Sequence, residues 1–306
     1  MKIAILCFLP VILFLSCKKS TPEETGTLKL SEVRHVDEGS GNFTDRLTYD
    51  NQDRIIKVER FKTGEAPIIL GIISYQGNEM TIRQPDVQHP SATIKQQVIY
   101  TLDAQNLPLR RLALDTMFFG PPNVQRDYNT DTIDYVYDGA GLLIKKNGRG
   151  RDSSWSSGGA HKRIETRQLT AMYTNTNGNL TSYEQVLVQN FRTVENGITY
   201  NDKRSFEEAI NYSYTKGHRN KIDFRHAVIF EELRMLFQEH YPINSRYLNI
   251  PNGFSTTYKQ RDGNNAIVDS RTFTYQTDFR FNKSGYLEKI IYSPMGKRYT
   301  EFIYIK

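Results

Sequence analysis

Cysteine is nearly missing from this chain: Cys7 and Cys17 are the only two in 306 residues. Two thiols crowded near the N-terminus cannot staple a fold of this length or build a thiolate metal centre. Tryptophan occurs once, at Trp155, and only one long apolar run is present, from residue 3 to residue 15. Blocks of one charge are missing as well. The 40 basic and 34 acidic side chains are interspersed and leave a net charge of +6. Such scatter fits solvated strand faces, so no nucleic-acid partner is expected. The chain has no His-Glu-x-x-His, no Gly-x-Ser-x-Gly, no phosphate loop and no dinucleotide fingerprint. The expectation is therefore a protein that is not an enzyme, without cofactor or metal.

The apolar run follows Lys2 and ends Phe14-Leu15-Ser16-Cys17. Its length suits an export signal and is too short to cross a bilayer as a helix. A small residue just before Cys resembles the bacterial lipoprotein signal, in which the Cys is acylated and becomes the first mature residue. The expectation is a signal peptide over 1–16, then lipidated Cys17 and a tether over 17–27, and one domain over 28–306. Residues 18–26 hold Ser, Thr, Pro and a Glu pair and no apolar side chain, as a solvated tether requires. The membrane, reached through Cys17, is the expected partner, and an outer-membrane location, on its periplasmic face or at the cell surface, is expected.

Hydrophobic residues reach only 38%, but aromatics make up 12% and tyrosine alone accounts for 19 residues. A core built from these is aromatic and partly polar. The stretch from Ile133 to Lys146 shows how they are used. Tyr135 and Tyr137 alternate with Asp134 and Val136, as a strand requires, and Asp138-Gly139-Ala140-Gly141 supplies a tight turn before Leu142 starts back. Looser copies run from Arg46 to Val58, from Gln97 to Leu112 and from Phe279 to Ile291, and further turns are predicted at Gly77-Asn78, Asn177-Gly178 and Asp262 to Asn265. The predicted fold is all-β: an antiparallel up-and-down meander of hairpins forming a curved sheet or partly open barrel. Apolar residues on both parities, as in Leu142-Leu143-Ile144, suggest strands buried on both faces. One stretch has helical spacing. Phe224 to His240 carries Ile229, Leu233 and Leu236 with Phe230 and Phe237, and is expected to be a helix covering one end or the open face of the sheet.

The Tyr-Asp-x-x-Gly-Leu rhythm at Tyr137, Asp138, Gly141 and Leu142 resembles the YD repeats of bacterial surface and toxin-shell proteins. With the Ser16-Cys17 start, it resembles a group of uncharacterised Bacteroidota lipoproteins. That resemblance covers roughly residues 40–306 and implies a porin-like, partly open barrel that binds lipid; it brings no catalytic residues.

For binding, residues 147–163 read as a long flexible loop bearing Trp155, with Arg149 and Arg151 able to hold an anionic group and Trp155 able to stack on a sugar or enter lipid headgroups. Tyr135 and Tyr137 are the ligand-facing candidates on the sheet. Met117 to Pro122 reads as a second apolar loop. The leading expectation is a membrane-anchored, non-enzymatic lipoprotein holding a lipid or other amphiphile against an aromatic inner face. The alternative is a surface scaffold for a glycan or protein, and the third is a hydrolase using a carboxylate pair.

Overall fold

In the computed structural model the described residues are 28–37, 41–89, 92–120, 125–156, 161–214, 228–229, 232–233, 249, 251, 253–293 and 298–305. Sixteen strands follow one another: β1 (Lys29–Val36), β2 (Phe43–Tyr49), β3 (Ile55–Lys62), β4 (Ile68–Gln76), β5 (Glu79–His89), β6 (Ala92–Leu102), β7 (Pro108–Phe119) and β8 (Gln125–Tyr137). The second half is β9 (Leu143–Ser156), β10 (His161–Thr176), β11 (Asn179–Glu195), β12 (Ile198–Ser213), β13 (Gly253–Arg261), β14 (Ile267–Phe281), β15 (Leu287–Ser293) and β16 (Tyr299–Ile305). Each pairs with its sequence neighbour, and β1 pairs antiparallel with β16, so the meander closes into a barrel. The antiparallel up-and-down meander predicted from the sequence is thus present, and its edges meet completely.

The repeat follows from hydrogen-bond chemistry. Asp138 Oδ1 accepts the amides of Ala140 and Leu142, both at 2.9 Å, while its own amide donates to Leu142 O at 2.9 Å. Asp50, Asp103, Asp262 and Asn282 repeat the pattern with the residues two and four positions on. The turn needs a left-handed residue three positions after the acid or amide. Gly141 takes it at φ 78° and Asn106 at 62°. Tyrosine hydroxyls then tie neighbouring strands together: Tyr75 donates to Ile55 O at 3.0 Å and Tyr304 to Leu287 O at 2.7 Å.

One residue beyond each of these five turns the ladder slips, as between Val136 and Tyr137 and between Arg280 and Phe281. These bulges correct the idea of strands buried on both faces. An extra residue shifts the inward parity, so Leu143 is inside while Ile144 is the inserted residue.

The wall is uneven. At about 3.4 Å per residue, seven-residue β2 spans about 24 Å and seventeen-residue β11 about 58 Å. The apolar core lies inside the barrel, where Val33, Leu47, Val58, Ile73, Met80, Ile82 and Tyr100 meet Phe254, Ile290 and Phe302. Part of the connection between β12 and β13 enters it. Of the helix expected over 224–240, Val228, Ile229, Glu232 and Leu233 are described; the first three are helical, and Leu233 N donates to Ile229 O at 2.9 Å. The rest of that stretch lies outside the described residues. The segment does not cover an open face, because a closed barrel has none. It sits in the lumen, with Val228, Ile229 and Leu233 buried in the core. Gly71 makes room for it: a Cβ there would stand 2.9 Å from Leu233 Cδ2.

The outer face of β9 and β12 is largely polar. Residues paired across strands share a face, so outward positions are Lys145, Asn147, Arg149, Arg151, Ser153 and Trp155 on β9, and Asn201, Lys203, Ser205 and Glu207 on β12. A strand crossing a bilayer shows lipid an apolar band about 25 Å tall. β9 and β12 show no such band, whereas Leu114, Val136, Met172 and Val186 on other strands are exposed. No helix among the described residues is long and apolar enough to cross a membrane.

Candidate ligand site in the barrel lumen

Inside the barrel, near the site, lies an ion pair. Glu232, carried in by the lumen segment, accepts from Arg111 Nε at 2.5 Å and Nη2 at 3.0 Å, and from the Tyr100 hydroxyl at 2.5 Å. Tyr100 and Arg111 are cross-strand partners on β6 and β7. Burial by itself would lower the Arg111 guanidinium, but the hydrogen bond and charge of Glu232 outweigh it and push it well above its ordinary value. Arg111 is thus held firmly protonated, two inward positions along β7 from Asp115.

A polar chamber is built by alternation. Gln125, Asp127, Asn129 and Asp131 occupy every second position of β8 and share a face with Asp115 and Met117 of β7, Asp152 and Ser154 of β9, and Arg163, Glu165 and Arg167 of β10. Around Gln96, Asp115, Met117, Asn129, Asp152 and Glu165 they enclose a cavity of about 360 Å³.

One side of the chamber is largely paired, although Arg167 Nε is buried without a hydrogen-bond partner among the described residues. Arg167 donates to Asn129 Oδ1 at 2.6 Å and pairs with Asp131 at 3.1 Å, while Glu165 accepts from Gln189 at 2.8 Å and from Arg163 at 3.4 Å. The other side is not: Asp115 and Asp152 have no hydrogen bond or ion pair among the described residues. Burial raises the Asp115 carboxyl, and neighbouring Asp131 and Glu232 add to this against the pull of Arg111. Two carboxylates with open lone pairs, beside the amides of Gln96 and Asn129, can accept hydrogen bonds from an amine or a polyol. Among the described residues no group of His, Cys, Asp and Glu could hold a metal ion.

The residues singled out from the sequence fall on opposite faces of the wall. Tyr135 is inward, partly buried against the core, with Lys146 Nζ 5.3 Å from its ring centroid, and Tyr137 shares that face. Arg149, Arg151 and Trp155 point outward, so the structure does not bring the two sets together. Nor do they lie on a loop: residues 147–156 belong to β9 and 161–163 to β10, and only 157–160 lie outside the described residues. The glycines that suggested flexibility are small because of what they face. A Cβ on Gly148 would stand 2.9 Å from Leu169 Cβ, and one on Gly150 would collide with the Asp131 carboxylate. Met117 to Phe119 likewise end β7 and are not a loop, and residues 121 and 122 lie outside the described residues. Cys17 also lies outside them. The sequence reading missed the chamber, although Gln125-x-Asp127-x-Asn129-x-Asp131 is a visible period-two signal.

A second polar cluster is sealed. His35 Nε2 lies 3.3 Å from Asp45 Oδ2 and its Nδ1 3.4 Å from Thr300 Oγ1, an order that mimics a catalytic triad. All three side chains are at most 1% exposed, and Asp45 is held by both nitrogens of an Arg60 fork at 2.8 and 2.9 Å. The cluster is closed to solvent and links β16, β1, β2 and β3.

No protein family and no curated protein matches this sequence. The fold is similar to two solved Bacteroides barrels. One is a porin-like protein from Bacteroides vulgatus, 14% identical with a TM-score of 0.47, the match covering 91% of this chain and 99% of that one. The other is a porin-like protein from Bacteroides uniformis, 10% identical with a TM-score of 0.41, covering 90% and 96%. At that identity no residue role passes from them to this chain.

Proposed function

We propose that this chain is a non-catalytic, outer-membrane-attached lipoprotein whose water-facing barrel binds a small polar ligand in its lumen. The observation that carries the reading is the 360 Å³ chamber with Asp115 and Asp152 unpaired on its wall. The ligand is a hydrogen-bond donor, a polyol or a molecule bearing an amine. Lipid fits this lumen less well, because the apolar volume is already occupied by Val228, Ile229 and Leu233. The same filling supports binding over the conduction that the neighbours' porin-like description brings to mind. Anchoring is supported by the Ser16-Cys17 junction and by the polar outer faces of β9 and β12.

The test is native mass spectrometry of the full-length chain released from a mild detergent. A polar small molecule retained at one per chain, and lost from Asp115→Asn/Asp152→Asn, bears the proposal out. Retained phospholipid would restore the lipid reading, and an empty barrel that takes up neither class would overturn binding altogether.

A further inference from the structure

Beyond the lumen, the geometry points to the outer face of β8, β9 and β10 as a docking surface for an anionic polysaccharide, laid lengthwise along the wall. Five cations project from these strands: Arg126, Lys145, Arg149, Arg151 and Lys162. None has a carboxylate partner among the described residues. The acid on the same face, Asp134, is already held by Arg110 at 2.6 Å. Elsewhere several exterior cations are matched, Arg34 and Arg46 by Glu32, Lys57 by Glu59 and Lys289 by Glu301, while Arg83, Arg192, Lys203 and Arg280 stand singly on separate strands. Open cations on a rigid sheet lose little conformational freedom on binding, and they need a partner that brings several negative charges in a row.

The groups between the cations say what kind of polyanion. Cross-strand from Arg151 stand Thr130 and Thr166, and cross-strand from Arg149 stand Thr132 and Gln168. These hydroxyls and an amide match the many hydroxyls of a sugar chain. At the far end Trp155 and Tyr128, 36% and 43% exposed, meet edge to face at 5.4 Å, and Arg126 lies 5.4 Å over the Phe118 ring. Exposed aromatic faces beside forked cations stack on sugar rings while guanidinium groups pair with carboxylates. A second copy of this chain cannot fill the surface, since two such walls repel. A membrane fits less well: beside Arg149 and Arg151 the outward side chains are Thr130, Thr132, Thr166 and Gln168, and the exposed apolar pair Val136 and Met172 stands at the Lys145 end only.

The test is binding of oligogalacturonate, a uronate polymer, to the full-length chain in detergent, measured by calorimetry at two salt concentrations. The expected result is saturable binding that weakens as salt rises, at least tenfold weaker in Arg149→Ala/Arg151→Ala and several-fold weaker in Trp155→Ala, with a neutral glucan inert. Circular dichroism and melting of these outward-facing variants should match the parent, which separates lost binding from lost fold. Absence of uronate binding, or binding that the arginine pair does not change, overturns the proposal. So does equal or tighter binding of a single-stranded oligonucleotide or of phosphatidylglycerol vesicles, which would make the wall a nucleic-acid or membrane surface.

Discussion

Asp138 spends both its backbone and its carboxylate on one turn. Its Oδ1 satisfies two amides that would otherwise face the hairpin end unpaired. Asp138→Ala should cost about 1–2 kcal/mol, read as a shift in the urea midpoint, because water replaces part of what is lost at an exposed turn. Two acids differ in the sign of their pH effect. Asp50 is held below its ordinary value, chiefly by hydrogen bonding to the Arg54 amide, so it contributes stability that is lost as pH falls through its folded value. Asp115 is raised by burial, so the folded state binds its proton more tightly than the unfolded state does. Stability therefore declines as pH rises from the ordinary value of 3.8 through the raised folded value. Asp115→Asn should be more stable than the parent at neutral pH, and the gap should close below that ordinary value. Urea unfolding across the acid range checks it.

At the scale of elements, the bulged hairpin and the lumen segment do different work. Each bulge, one step past its acid or amide turn, turns the inward face of the return strand so that Leu143 or Leu287 enters the core. The lumen segment then packs Leu233 against Gly71 and sets Glu232 on Arg111. Leu233→Ala should cost about 2–4 kcal/mol by leaving a cavity among packed side chains. Thermal or urea unfolding of the variant reads the loss.

For the whole molecule, the closing step joins the two ends of the chain. β1 and β16 meet along the ladder from Lys29–Ile305 to Val36–Tyr299. Beside it runs a polar chain through five strands: Tyr292 and Thr300 hydroxyls 3.2 Å apart, then His35, Asp45 and Arg60. His35 stacks on Phe43 at 4.3 Å and Arg60 covers the same ring at 3.9 Å. Asp45→Ala leaves Arg60 without its anion in a buried seam and should cost about 3–5 kcal/mol, well above the same change at Asp138. Equal losses at the two sites in urea unfolding would show that the seam is no more than another turn. If Cys17 carries the anchor of the proposed water-facing barrel, Cys17→Ser should move the protein from the membrane pellet to the soluble fraction while its melting point stays unchanged.

Strand alternation, tight-turn residues and the order of hairpins were legible along the chain, because they rest on contacts within a few residues. That local chemistry determined an antiparallel meander. Closure, the bulge-shifted faces and the seating of the 228–233 segment inside the barrel depend on partners as far apart as Val33 and Phe302 or Arg111 and Glu232. Only the tertiary structure decided them. The same holds for the site. A period of two says that Arg149 and Arg151 share one face and Asp127, Asn129 and Asp131 another, but which face is lumen is set when the sheet closes. Closure placed the acids inside the chamber and the arginines on the outer wall.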